Sequence, residues 1–226
     1  MALEEITPLL KDYVERNSGV VNLEWDPDLS EELLFDPFAD SYEEERFTAN
    51  YFLLVASITE TGLIGRAENS RALMIYLHKV LEDDLLIETD ARKLQNIINN
   101  SIYYKHLGPY KEKIPDTLAS INIYANNVAQ GDLIRYASSF TEPEDLVRNI
   151  AENVDRMDGR FLKKTWMYLS WMTRPYPDLR VFQNFSPRNL SVYMTSYVMD
   201  VGCCLNLCPK HDDEWWNNNQ NREEAR

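Results

Sequence analysis

The chain has 226 residues, 44% of them hydrophobic, with only 7 glycines and 10 prolines and a formal charge of −14. That composition suits one sizeable core and argues against a loop-rich or low-complexity protein. No apolar run approaches the ~18 residues of a bilayer span, and the acidic start Met1-Ala2-Leu3-Glu4-Glu5 is unlike a secretory signal, so no membrane association is expected.

In chain order, Thr7-Pro8 reads as a helix start, with Leu9, Leu10, Tyr13 and Val14 as its apolar stripe and Ser18-Gly19 as its end. Residues 20–42 are acidic and broken by Pro27 and Pro37; Val20-Val21-Asn22-Leu23 has strand character, but one strand does not make a sheet. From Glu43 the spacing turns helical. Phe47, Tyr51, Phe52, Leu54, Val55 and Ile58 form a face broad enough for a central helix. Residues 68–83 carry a second apolar face through Leu73, Met74, Tyr76, Leu77, Val80 and Leu81. Gly62-x-x-Gly65-Arg66 between them lacks a phosphate-loop lysine and reads as a turn. Thr89-Asp90 caps a third helix through Leu94, Ile97, Ile98 and Ile102, and residues 115–130 form a fourth. Thr141-x-x-Glu144 predicts a capping box before Leu146, Ile150 and Val154. Gly159 separates that helix from one over Phe161–Met172, and Ser186-Pro187 opens a last long helix through Leu190, Tyr193, Tyr197, Val198 and Val201.

The expected organisation is an acidic extension with one helix (1–42), an all-α helical domain (43–207) and a polar tail (208–226). Trp215-Trp216 in the tail either docks on the body or anchors a partner. Cys203, Cys204 and Cys208 are odd in number and clustered, which predicts a reducing cytoplasm rather than a disulfide framework. Cys204-x-x-x-Cys208-x-x-His211 offers too few separate ligands for a cluster, so no metal is assigned; His78 and His106 lack catalytic partners and are expected to pack or lie on the surface.

Charge is uneven. Residues 1–46 hold 14 acidic and 3 basic side chains, whereas residues 159–190 hold six basic ones (Arg160, Lys163, Lys164, Arg174, Arg180, Arg188) against Asp178 alone. A negative chain is an unusual nucleic-acid binder, yet a local basic stretch can still grip a phosphate backbone. Within that stretch Met157-Asp158-Gly159-Arg160-Phe161-Leu162-Lys163-Lys164-Thr165 reads as a helix end, a glycine turn and a helix start carrying two lysines. Such a hairpin can aim N–H groups at phosphate, and a desolvated amine there can attack a sugar C1′ to form a Schiff base. The bland alternative is that both lysines are solvated. Trp166, Met167, Leu169, Trp171 and Met172 at helical spacing are expected to be core, and Arg174-Pro175-Tyr176-Pro177 a helix-ending loop.

This segment resembles the helix-hairpin-helix DNA glycosylases, whose hairpin has the form Leu-Pro-Gly-Val-Gly-x-Lys-Thr-Ala. Gly159 matches the first glycine, Lys163 falls on the family's nucleophilic lysine, and Phe161 replaces the second glycine. The run Lys163-Lys164-Thr165-Trp166-Met167-Tyr168-Leu169-Ser170-Trp171-Met172-Thr173-Arg174, then Asp178-Leu179, Pro187-Arg188-Asn189-Leu190 and residues 192–198 are similar to an uncharacterised glycosylase-like family. The archaeal 8-oxoguanine glycosylases share the layout. Upstream, Glu45-Arg46-x-x-Ala49 before Leu53-Leu54-Val55-Ala56 resembles the start of that domain. The resemblance implies two helical lobes with about eight to ten helices, a flipped base in a cleft between them, and no diffusible cofactor. It makes Lys163 the nucleophile and Gly159, Arg160, Phe161, Lys164, Arg174 and Arg188 DNA contacts. The family's catalytic aspartate falls at Thr195, so base release should be weak or lost unless another carboxylate, such as Asp178, substitutes. The competing expectation is a catalytically silent helical scaffold that binds a protein through its acidic N-terminal region.

Overall fold

Ser41 opens the helical part of the computed structural model, which describes residues 35–38, 41–58, 67–106, 111–158, 162–175 and 178–191. Its hydroxyl accepts from the Glu44 N–H at 3.3 Å, and Glu43, Glu44 and Glu45 sit in the first turn, where the helix dipole favours negative charge. Helix α1 then runs Tyr42–Ile58. Every residue from Tyr51 to Ile58 is buried, together with Thr48 and Ala49. A helix buried all round must be central, and α1 packs against four of the other six described helices.

The rest of the core forms around it. Helix α2 spans Ala67–Leu81 and tightens into a 3-10 turn over Glu82–Leu86. Helix α3, Ala91–Asn99, begins as expected at Asp90, whose carboxylate accepts from the Arg92 and Lys93 N–H groups. Helix α4, Ile114–Ile123, widens into a π-helical turn over Tyr124–Val128. Helix α5, Leu133–Ala137, is too short to show an apolar period. Helices α6, Pro143–Asn153, and α7, Lys163–Thr173, pack on each other, and α7 packs on α1. No strand occurs among the described residues, so the all-α expectation is met there. One cluster of buried apolar side chains extends from Ala49 to Phe185. Among the described residues, no helix is long and apolar enough to cross a membrane.

The periodicity overreaches in several places. Helix α3 stops at Asn99, because the Ser101 N–H and hydroxyl both turn back to the Ile98 carbonyl. Ile102 therefore lies beyond the helix and is 73% exposed, and Val80 also faces out. The capping box at Thr141 does not form. Pro143 takes the first helical position, where its missing N–H costs nothing, so Glu142 becomes the cap residue without a side-chain bond. Where the last helix is predicted to start, Ser186-Pro187 opens a 3-10 turn over Pro187–Asn189 among the described residues. Leu190 is already extended, which lays its side chain against the core. The expectations for Thr7-Pro8, Val20–Leu23, Gly62–Arg66, Thr195, the cysteines, Trp215-Trp216 and the helix beyond residue 191 lie outside the described residues.

Two asparagines tie the end of α4 and its π-helical turn to the segment around the 3-10 turn. Asn122 is buried, and its amide donates to the Leu85 and Glu88 carbonyls at 2.8 and 2.7 Å; Asn126 donates to the Leu86 carbonyl at 3.0 Å. Among these, the Leu85 carbonyl is buried and would otherwise lack a donor.

His78 packs as expected. Its ring lies 5.3–5.8 Å from those of Phe47, Tyr51 and Phe35. Burial pushes its pKa below the ordinary value of 6.5, against a weaker upward pull from Asp83 and Glu82. The unfolded chain therefore binds a proton there more readily than the folded one. The stability due to neutral His78 is complete above about pH 6.5 and declines as pH falls below it. We expect denaturant midpoints to fall more steeply for the wild type than for His78→Phe on acidification from neutral pH. Parallel curves for the two proteins would refute this.

Candidate nucleic-acid interface

The basic stretch after residue 159 is built on a helical hairpin. Helix α6 ends at Asn153, the chain turns through Val154–Asp158, and α7 begins at Lys163. Met157 is fully buried and anchors the turn. The Thr165 hydroxyl, one turn into α7, donates to the Met157 carbonyl at 3.1 Å. The Asp155 N–H donates to the Ser120 hydroxyl of α4 at 2.9 Å. Leu162 enters α7 with φ +52°, a left-handed conformation that a non-glycine residue adopts only at some cost. The hairpin is thus pinned to both its own second helix and to α4. Gly159, Arg160 and Phe161 lie outside the described residues.

Lys163 is the first residue of α7 and is half-buried. Lys164 points elsewhere: its ammonium donates to the backbone carbonyl of Ser57, in the last turn of α1. Carbonyls there carry the negative end of the helix dipole, so a cation is well placed. The Ser57 hydroxyl in turn bonds the Leu54 carbonyl at 2.7 Å. Lys164 thus joins α7 to α1, and reversing its charge would set a carboxylate against a helix C-terminus. A binding defect in such a variant would not identify a phosphate contact.

Arg174 and Asp178 form a second centre. The Arg174 Nε lies 2.7 Å from Asp178 Oδ2, without the alignment of a hydrogen bond, and Asp178 is buried. Backbone bonds from Leu179 to Trp171 and from Phe182 to Met172 fold this loop over the end of α7. Arg174 follows Lys163 by the whole length of α7, about 16 Å at 1.5 Å per residue. Every residue between them from Thr165 to Thr173 is buried, as the sequence pattern predicts for Trp166, Met167, Leu169, Trp171 and Met172. The structure therefore brings Arg174 and Asp178 together but does not bring either to Lys163. Arg188, on the 3-10 turn after Pro187, is exposed.

A basic segment that the sequence reading passed over lies across α3 and α4. Residues 91–115 contain Arg92, Lys93, Lys105, Lys111 and Lys113 against a single acid, Glu112. Lys93 is tied to Glu88. Lys105 and Lys113 are exposed, and the Lys111 ammonium sits 4.0 Å from the centre of the Tyr104 ring. The signal was in the sequence as a local run of positive charge inside an acidic chain. No group of three or more His, Cys, Asp or Glu suited to a metal occurs among the described residues.

Comparison of the chain with protein-family models, with curated proteins and with solved structures finds no match in any of the three.

Proposed function

We propose that the chain is a DNA-binding protein of the base-excision type, with Lys163 as the amine that attacks the sugar of a flipped nucleotide. One observation carries the reading: Lys163 heads the second helix of a packed helical hairpin whose turn is held by Thr165 and Ser120. That is the arrangement expected of the glycosylase-like hairpin that Met157–Thr165 resembles. It would place a half-buried amine beside a backbone held by turn and helix N–H groups. The catalytic pair is incomplete, with Thr195 at the position where the resemblance expects an aspartate. Attack on a sugar that has already lost its base does not need that carboxylate, whereas expelling an intact base does.

The test is borohydride trapping. Wild-type protein with an abasic-site duplex should give a covalent adduct, Lys163→Ala should give none, and duplexes with intact lesion bases should react far more slowly than the abasic one. An adduct undiminished in Lys163→Ala would reject the lysine's role.

A second reading has an observation of its own. Lys164 and Arg174 are engaged by Ser57 and Asp178, as framework contacts would be. This favours a catalytically silent helical scaffold using its acidic surface for a protein partner. Absence of any adduct and of any DNA binding would select it.

A further inference from the structure

We infer that Lys105, Lys111 and Lys113, with Tyr104, form a second phosphate-backbone contact of the same DNA footprint, reached from the hairpin along α4. The inference rests on the proposed DNA reading for the identity of the polyanion. Its geometry is independent of Lys163.

Lys105 and Lys113 are exposed and lie in the connection between α3 and α4. Lys111 lies on the Tyr104 ring face, where the ring quadrupole holds an ammonium without neutralising it. Two acids are nearby. Glu112 accepts a hydrogen bond from the Tyr104 hydroxyl at 2.8 Å, and Asp116 lies in the first turn of α4. Each has a local role, Glu112 in holding the aromatic ring and Asp116 in offsetting the helix dipole. The three lysines outnumber them and crown a chain whose overall charge is −14. Ile102, three residues before Lys105 and 73% exposed, adds an apolar surface to the same connection.

The connection to the hairpin is structural. Ser120, which receives the Asp155 N–H, follows Lys113 by seven residues on α4, about 10 Å along the helix axis. A single DNA strand advances about 3.4 Å per phosphate along the duplex, so that interval spans about three phosphates. A strand lying against the hairpin at Asp155 would therefore meet Lys113 within about three phosphates. The patch also supplies cations that Lys164 and Arg174, engaged with protein groups, do not.

The experiment uses the full chain and an abasic-site duplex, with binding followed by fluorescence anisotropy between about 50 and 200 mM salt. Lys105→Glu combined with Lys113→Glu should weaken binding by about tenfold or more. It should also flatten the dependence of log affinity on log salt by about 1.8, for two phosphates lost at about 0.9 each. Lys105→Gln with Lys113→Gln should show the same loss of slope with a smaller loss of affinity, and unchanged circular dichroism will establish that both variants are folded. Lys163→Ala should form no trapped adduct, whereas the Lys105/Lys113 variants should still form one at low salt. Unchanged affinity and slope in the reversed variant would overturn the patch and leave the hairpin reading standing. Binding that depends on the patch, with no adduct from the wild type, would uphold the patch and reject the catalytic reading. A wild-type protein that binds no duplex at low salt overturns both.

Discussion

Trp171→Ala is expected to destabilise the protein by about 3–5 kcal/mol. Trp171 is 2% exposed and meets Phe52 of α1 edge-on at 6.5 Å, so it joins the hairpin's second helix to the central one. Its backbone carbonyl also receives the Leu179 N–H that folds the loop over α7. Truncation would open a large cavity at that junction. A domain of this size has about 5–15 kcal/mol of stability in total, so the variant should be partly unfolded near physiological temperature. Ile102→Ser, at an exposed position, is the control and should change stability by no more than about 0.5 kcal/mol. Urea titration with an unchanged slope would measure both. A loss below about 1 kcal/mol for Trp171→Ala would contradict the burial.

The second large effect concerns catalysis on the proposed reading. Thr195→Asp is expected to raise base release from lesion-bearing DNA by about a thousandfold or more, because a carboxylate facing the developing positive sugar is worth several kcal/mol and a hydroxyl dipole replaces only part of it. Adding Lys163→Ala to that variant should abolish the trapped adduct. Strong base release by the natural sequence would mean that another carboxylate serves. Asp178 is a poor candidate, because it is buried against Arg174, a whole helix length from Lys163. Asp178→Asn should then disturb the loop after α7 rather than the chemistry. A Thr195→Asp protein inert on every lesion, alongside a wild type that forms no abasic adduct, would favour the scaffold.

What the sequence determined by itself was set by local pattern. Apolar spacing from Phe47 to Ile58 specified the central helix, and Asp90 marked the start of α3, because a carboxylate cap acts on N–H groups two and three residues away. The tryptophans of α7 were legible as core for the same reason: a continuous apolar run has nowhere else to go. Elements whose endings depend on distant partners were not legible. Ile102 falls outside α3 because Ser101 turns back on Ile98, and Leu190 leaves its helical path to pack on the core.

The candidate site divides along the same line. Lys163 at a helix start and the clustered positive charge were visible as spacing and composition. Only the tertiary structure decided which charges remain for a ligand. Lys164 lies beside Lys163 in sequence, yet the packing of α7 on α1 commits it to Ser57, some 107 positions away. Arg174 and Asp178 read as part of the Lys163 site until the length of α7 separates them, while the bond from Asp155 to Ser120 brings the hairpin to the helix that follows Lys113. Sequence reports the sign and local periodicity of a side chain. Its partner is chosen by long-range packing, and in this chain that choice separates framework cations from those exposed to solvent.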